Sequence, residues 1–366
     1  AATDALNNAI GQLMDANQYN RVAVRTFSST GSYEGTSFAP NNQTLLPLGR
    51  YTSRDGSTIS KDKAAFSYEY RSGNSGYNSR FSVSAKNSES NRTVTGRVNV
   101  GGGTNTQNGF RTGMDILASS DSTSITVDGR NLQRIPAVVL LSDGQPTYSM
   151  ATTDDGANRG NWWSSTNEVG PGNGSYYGNG MLALMQASYQ KQLVNAHYGV
   201  EAGADTAAQV MTIRVGRFSN NNALNLADVT LAPNKYFSRD ALLDSSNNMA
   251  SNIWNAWGSY RSNGSVSGVT VGENNSVYLT RPTENQIDSL VYNDGAYSTD
   301  KPEELTDIFT DIIQRLQSTA SSPVRDEIGD TDTELTYTDP LGRFMEVSGD
   351  EMTLSLFGQD YVATRQ

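Results

Sequence analysis

The chain contains no cysteine. That excludes disulfides, thiolate metal sites, a cysteine nucleophile and a cysteine-based thioester. Histidine occurs once, at His197. A Ser-His-Asp triad would have to use it, yet no nucleophile-elbow motif surrounds any serine. His197 closes an amphipathic helical stretch, where attraction to the helix dipole accounts for it. Phosphate loops of the Gly-x-x-x-x-Gly-Lys-Ser/Thr type and His-Glu-x-x-His zinc motifs are missing too. The adjacent carboxylates Asp154-Asp155 and Glu303-Glu304 suit a solvated loop and a first helical turn better than a glycosidase pair. Basic residues are few: 27 Lys and Arg against 38 Asp and Glu leave a net charge of −11. Nucleic acid is therefore not an expected partner, because phosphate binding needs clustered Lys and Arg. No apolar run approaches the roughly 20 residues needed to span a bilayer, and no signal peptide is visible. Charged residues make up 18% and hydrophobic residues 36%, while Gly, Ser, Thr and Asn are abundant. That balance fits a secreted, loop-rich surface protein rather than a cytosolic enzyme.

What stands out instead is the run Arg134-Ile-Pro-Ala-Val-Val-Leu-Leu-Ser-Asp-Gly-Gln-Pro146. Five apolar residues, Ala137 to Leu141, lead to a carboxylate at Asp143 and a Gly-containing turn. A short uninterrupted apolar run suits a strand buried on both faces, as in parallel α/β sheets. Ligands of such sheets sit at the carboxyl ends of the strands, where Asp143 falls. Upstream lies Gly101-Gly-Gly-Thr-Asn-Thr106, a Gly-rich loop leading into a helix. A hydroxyl on this loop and a carboxylate at the strand end are hard oxygen donors suited to Mg²⁺, Mn²⁺ or Ca²⁺. Taken singly, each has a plainer reading. Asp143 could serve as a turn residue, and Thr104 or Thr106 as a helix N-cap.

In pairing and order these motifs resemble the second and third parts of the metal-ion-dependent adhesion site of von Willebrand factor type A domains. The resemblance implies a doubly wound, Rossmann-like α/β fold, with Thr104 and Asp143 as metal ligands for Mg²⁺, Mn²⁺ or Ca²⁺. It also implies an open metal position that an oxygen of the binding partner fills. The family's first motif, Asp-x-Ser-x-Ser, is absent. The one near match, Asp244-x-Ser246-x-Asn248, follows no buried strand. Ala1 to Ile10 reads as the middle of the family's first helix, with Leu6, Ile10, Leu13 and Met14 on one face. The strand that normally precedes it is central to the sheet. Its absence implies either a fragment or a second polypeptide that supplies the strand and its motif.

On this reading residues 1–320 form the type A domain, with insertions at about 28–97, 147–180 and 236–295. Arg21 to Phe27 is a strand in the family's second position. Phe66–Tyr70 and Phe81–Ala85 alternate as two strands of a hairpin. The helix after Thr104 turns Phe110, Met114 and Leu117 inward. Further on come a helix over about 181–196, a strand over 209–215 and a final helix over about 302–317. That last helix carries Leu305, Ile308, Phe309, Ile312, Ile313 and Leu316 on one face. Asp300-x-x-Glu303 fits a capping box, and Pro302 suits the first turn. Residues 321–366 read as the start of a β-rich module, with strands at 334–338, 344–347 and 352–357. It resembles the sandwich-type stalk modules that flank type A domains in Gram-positive pilus-tip adhesins.

Trp162, Trp163, Tyr176 and Tyr177 lie in a Gly/Asn-rich segment just past Asp143 and are candidates for ligand binding. The plainer reading, and the one favoured, is that they form the small core of that segment. Trp254 and Trp257 share helical spacing with Met249 and Ile253, as a core stripe would. Tyr68, Tyr70 and Tyr77 could face a ligand or pair across the hairpin. Two functions follow. One is a non-enzymatic adhesin head on the cell surface or pilus, binding a host extracellular protein or glycan through a divalent metal. The other is a structural module of a fibre or surface assembly, contacting pilus subunits, with a non-functional metal site.

Overall fold

A computed structural model describes residues 1–28, 43–70, 79–99, 103–127, 129–149, 177–201, 203–204, 206–216, 221–236, 270–271, 277–278, 292–320, 351–356 and 359–364. Contacts divide the chain into two compact units, Ala1–Ser322 and Pro323–Gln366.

The first unit is mixed α/β. It opens with α1 (Ala2–Ala16), which buries Ala5, Ala9, Ile10 and Met14. Asn7 falls beside Ile10 and Met14 around the helix and is fully buried. Its amide takes the backbone N–H groups of Ala65 (3.0 Å) and Phe66 (2.8 Å) and donates to the Phe66 carbonyl (2.9 Å). A helix residue thereby completes the ladder of a strand, satisfying groups that burial would otherwise leave bare. Next come β1 (Val22–Arg25) and β2 (Thr44–Gly49), an antiparallel pair. Four further strands follow: β3 (Tyr51–Thr52), β4 (Phe66–Glu69), β5 (Arg80–Asn87) and β6 (Arg92–Asn99). β5 carries β6 along one edge and β3 and β4 in succession along the other, all antiparallel. The hairpin read from Phe66–Tyr70 and Phe81–Ala85 is the β4–β5 pair. Ile10 and Met14 of α1 pack on Leu45, Leu46, Tyr51 and Phe66 to close this half of the core.

The second half is layered. After α2 (Thr106–Ala118) comes a hairpin of β7 (Ser124–Val127) and β8 (Arg130–Gln133), with Gly129 at φ +80° in its turn. Then follow β9 (Ala137–Ser142), α3 (Tyr177–Tyr198), β10 (Gln209–Val215), α4 (Asn221–Leu231) and the single turn α5 (Pro233–Tyr236). A two-residue pair, β11 (Thr270–Val271) and β12 (Val277–Tyr278), precedes β13 (Gly295–Thr299). A 3₁₀ turn at Pro302–Glu304 leads into α6 (Leu305–Ala320). The strands β13, β10 and β9 form a parallel sheet in that order. Alternation sorts its side chains. Val138, Leu140 and Val210 pack with Phe110 and Met114 of α2 and with α3, whereas Val139, Leu141, Met211 and Ile213 pack with α6 and with Ala5 of α1. Helices thus cover both faces, the arrangement that apolar parallel strands require.

An ion pair ties the layers together. Lys191 of α3 bonds both carboxylate oxygens of Asp294 (2.9 and 2.8 Å) and the Tyr292 carbonyl (3.0 Å). The same carboxylate accepts the Val210 N–H at 2.7 Å.

The start of α6 departs from the expected capping box. Lys301 occupies the cap position of the 3₁₀ turn and makes no side-chain cap bond. The buried hydroxyl of Thr299 accepts the Lys301 N–H (2.9 Å) and donates to Glu304 (2.6 Å), which also pairs with Lys301 (2.9 Å). The cap position thus falls on Lys301 rather than Asp300, and the side chains that meet beside it are Thr299 and Glu304. The first turn winds as 3₁₀, which breaks the offset of three that a regular helix would give. In the second unit, β14 (Glu351–Leu356) and β15 (Gln359–Thr364) form an antiparallel hairpin. The strands read at 334–338 and 344–347 lie outside the described residues, as do Trp254, Trp257 and Tyr77.

Candidate functional site

β9 delivers Asp143 to the carboxyl end of the parallel sheet, where its side chain is exposed. The turn that follows is held by the side chain of Ser142. Gly144 N–H donates to Ser142 Oγ (3.3 Å), and that hydroxyl donates to the Gly144 carbonyl (3.1 Å). Ser142 is buried, so the turn cannot swing freely.

The loop before α2 docks on this turn. Thr104 N–H donates to Thr147 Oγ1 (2.7 Å), and the Thr104 carbonyl accepts N–H groups from Thr147 (2.8 Å) and Tyr148 (3.1 Å). The contact is close enough to favour glycine on both sides. A Cβ on Gly144 would lie 2.6 Å from Thr104 Oγ1, and one on Gly103 would lie 2.3 Å from the Tyr148 ring. A side-chain carbon at those separations would force its neighbour to shift, which explains the Gly next to each predicted ligand. The structure therefore brings Thr104 against the turn that carries Asp143, two residues far apart in sequence.

Capping does not occupy Thr104. The N-cap of α2 is Asn105, whose side chain accepts the Asn108 N–H at 3.0 Å. The Thr104 hydroxyl makes no hydrogen bond to a described residue. Thr106, the other capping candidate, is buried with its hydroxyl unpartnered. In kind, the pair of donors fits a hard cation. One hydroxyl and one carboxylate would leave Mg²⁺ with most of its water shell, its usual state in proteins. Among the described residues no group of three or more His, Asp or Glu converges to hold a metal.

Behind the site runs a polar seam between α2 and α3. Gln107, Asn108, Asn179, Gln186 and Gln190 are all buried. Gln107 donates to Gln186 at 3.5 Å, and Gln190 donates to Asp115 at 2.7 Å. Ser149, six residues past Asp143, donates to Asn179 in the first turn of α3 at 2.9 Å. Thr106 Oγ1, Asn179 Nδ2 and Gln186 Nε2 have no partner. Sequence reading missed this seam. Its one signal was the near-even spread of polar residues around α3, which suits burial against a polar neighbour as well as solvent exposure.

Trp162, Trp163 and Tyr176 lie outside the described residues, and Tyr177 is described only as the first residue of α3. Tyr68 and Tyr70 are the exposed large apolar side chains of the described residues, at 50% and 72%. His197 Nε2 sits 2.6 Å from the Ser120 carbonyl oxygen and so joins the end of α3 to the end of α2. That bond is an additional reason for the histidine besides the helix dipole.

The chain matches no protein-family model, no curated protein and no solved structure.

Proposed function

We propose that the first unit is a von Willebrand type A-like binding module that holds a divalent cation through Thr104 and Asp143. One observation carries the reading: the Thr104 loop is clamped onto the Asp143 turn, with the threonine hydroxyl making no hydrogen bond among the described residues and the carboxylate exposed. A bound Mg²⁺, Mn²⁺ or Ca²⁺ would offer an open position to a carboxylate or other oxygen of a partner. The chain's own task is to hold the two donors apart from their backbone hydrogen bonds and to keep them at the rim. On this reading the protein is a non-enzymatic adhesin, extracellular, on a cell surface or pilus, and its partner is a host protein or glycan. Trp162, Trp163, Tyr176 and Tyr177 would supply contact area beside the cation.

The thin donor set favours a second reading among the described residues. If Thr104 and Asp143 form a relic of a metal site, the unit is a structural module of a fibre or surface assembly. Calorimetric titration of Mg²⁺ and Mn²⁺ into the wild type and Asp143→Ala separates the two. Saturable binding lost on substitution supports the metal reading, and no heat of binding in the wild type removes it.

A further inference from the structure

Three arginines gather where α1 gives way to β1. Arg50 donates to the Met14 and Asn17 carbonyls (2.6 and 2.8 Å), Arg134 donates to the Tyr19 carbonyl (2.8 Å), and Arg21 immediately precedes β1. Side chains of the turn hold it in place. Asn17 accepts the Tyr19 N–H, and Asn20 donates to the Leu13 carbonyl, each at 2.8 Å. Among the described residues a single carboxylate pairs with the three: Glu89, between β5 and β6, accepts from Arg21 Nε at 2.6 Å. Asp15 accepts the Thr58 hydroxyl instead (3.0 Å), and Asp121, beside Ser122, forms no ion pair with any of them.

Positive charge is scarce in a chain of net charge −11, so its concentration at one turn calls for a reason. Helix capping accounts for Arg50, because both of its bonds end on carbonyls at the α1 terminus. It does not account for the other two. Arg134 is half-buried, and its bonds, to the Tyr19 carbonyl and to Ser122 Oγ (3.3 Å), reach neutral oxygens beyond the ends of α1 and α2. Burial, and after it repulsion from Arg21, hold its pKa below the ordinary arginine value. The Tyr198 hydroxyl, raised by burial, feels both arginines as well. Two guanidinium groups therefore share one partly desolvated place, an unfavourable arrangement that an anion between them would reverse. Donors for it remain. The Nη atoms of Arg21 and Nη2 of Arg134 make no hydrogen bond to a described residue, and none of them is sealed from solvent.

We propose that Arg134 and Arg21 bind a doubly charged tetrahedral oxyanion, a sulfate or phosphate ion or the phosphate of a monoester. Charge and shape both select it. Three arginines against Glu89 leave two positive charges, which a dianion cancels. A carboxylate is satisfied by one guanidinium fork, whereas two forks from separate segments suit an ion with oxygens on four sides. The site precedes β9, and Asp143 follows it. Six strand residues set the two about 20 Å apart. The inference therefore holds whether or not Thr104 and Asp143 bind metal.

The test is an NMR titration of the ¹⁵N-labelled 366-residue chain in EDTA, with sodium chloride keeping the ionic strength constant. Sodium sulfate, inorganic phosphate and glucose 6-phosphate are the probes, glucose is the blank, and the arginine Nε–H signals are the readout. Arg134 also ties down the turn, so the variants leave it intact. The Arg21 and Arg134 signals should shift saturably with each anion. Arg21→Gln should weaken binding about tenfold, the loss of a charge-assisted contact. Glu89→Gln should tighten it several-fold, because its carboxylate competes for Arg21. Tighter binding of glucose 6-phosphate than of phosphate would assign the site to an ester, and equal binding to the free ion. Shifts that never saturate, unchanged affinity in Arg21→Gln, or no gain in Glu89→Gln would overturn the site.

Discussion

Asn7→Ala tests how the antiparallel half of the first unit is held to α1. The substitution removes three hydrogen bonds, two accepted from Ala65 and Phe66 and one donated to Phe66, all in a fully buried site. The backbone groups left behind remain buried. Each such group costs about 1–3 kcal/mol, so the sum, reduced by any water that enters the vacated space, is about 3–5 kcal/mol. Asn8→Ala is the internal control. Asn8 is the next helix residue, and its side chain accepts one exposed N–H, from Lys61 at 3.0 Å. Both substitutions gain the same helix propensity, so the difference between them isolates the partners. Asn8→Ala should cost about 1 kcal/mol or less. Urea unfolding followed by circular dichroism gives both values, and hydrogen exchange at the Phe66 amide localises the effect. If the two variants unfold within 1 kcal/mol of each other, the argument from buried backbone groups fails.

Two further tests address the loops. Gly144→Ala places a carbon 2.6 Å from Thr104 Oγ1, against an ordinary contact of about 3.5 Å. The hydroxyl must retreat by several tenths of an ångström, more than the roughly 0.2 Å tolerance of a metal bond. Mg²⁺ affinity by calorimetry should fall at least as far as in Thr104→Ala, while circular dichroism stays unchanged. Glu304 concerns acid stability. The Thr299 hydroxyl, and after it Lys301, hold its carboxyl below the ordinary value of 4.5. A depressed folded-state value means the contribution is present above pH 4.5 and is lost as pH falls through the lower, folded value. An NMR titration should show the Glu304 midpoint below 4.5, and Thr299→Val should move it upward.

Much of the layered half is legible from sequence. Gln209–Val215 is a strand over the residues its apolar run predicts, and Phe110 and Met114 of α2 point inward as their spacing requires. Those features need only one element and its period. The β7–β8 hairpin escaped notice although Ile125 and Val127 alternate with Ser124 and Thr126, because each strand is only four residues long and Arg130–Gln133 carries a single apolar residue. Similarly, Thr104 and Asp143 could be paired by their order along the chain. Asn105 as the cap and Thr147 as the clamp could not be foreseen, because both depend on how closely two loops approach. The departure from the Asp300–Glu303 box has the same origin. An offset rule presumes an α-turn, and the first turn here is 3₁₀.

The amide-rich packing of α2 on α3 gives that pair the character of a slip plane. Interlocked methyl groups resist sliding because every displacement opens a void. Amides one turn apart, such as Gln186 and Gln190, instead exchange one hydrogen-bonding neighbour for another, and some are unsatisfied before any motion begins. α3 has 22 residues and so spans about 33 Å. Its first turn is tethered near Asp143 through Ser149, and its last is fastened to Ser120 by His197. A push at the rim would travel along this rod as a translation, with the histidine at the far end as the stop.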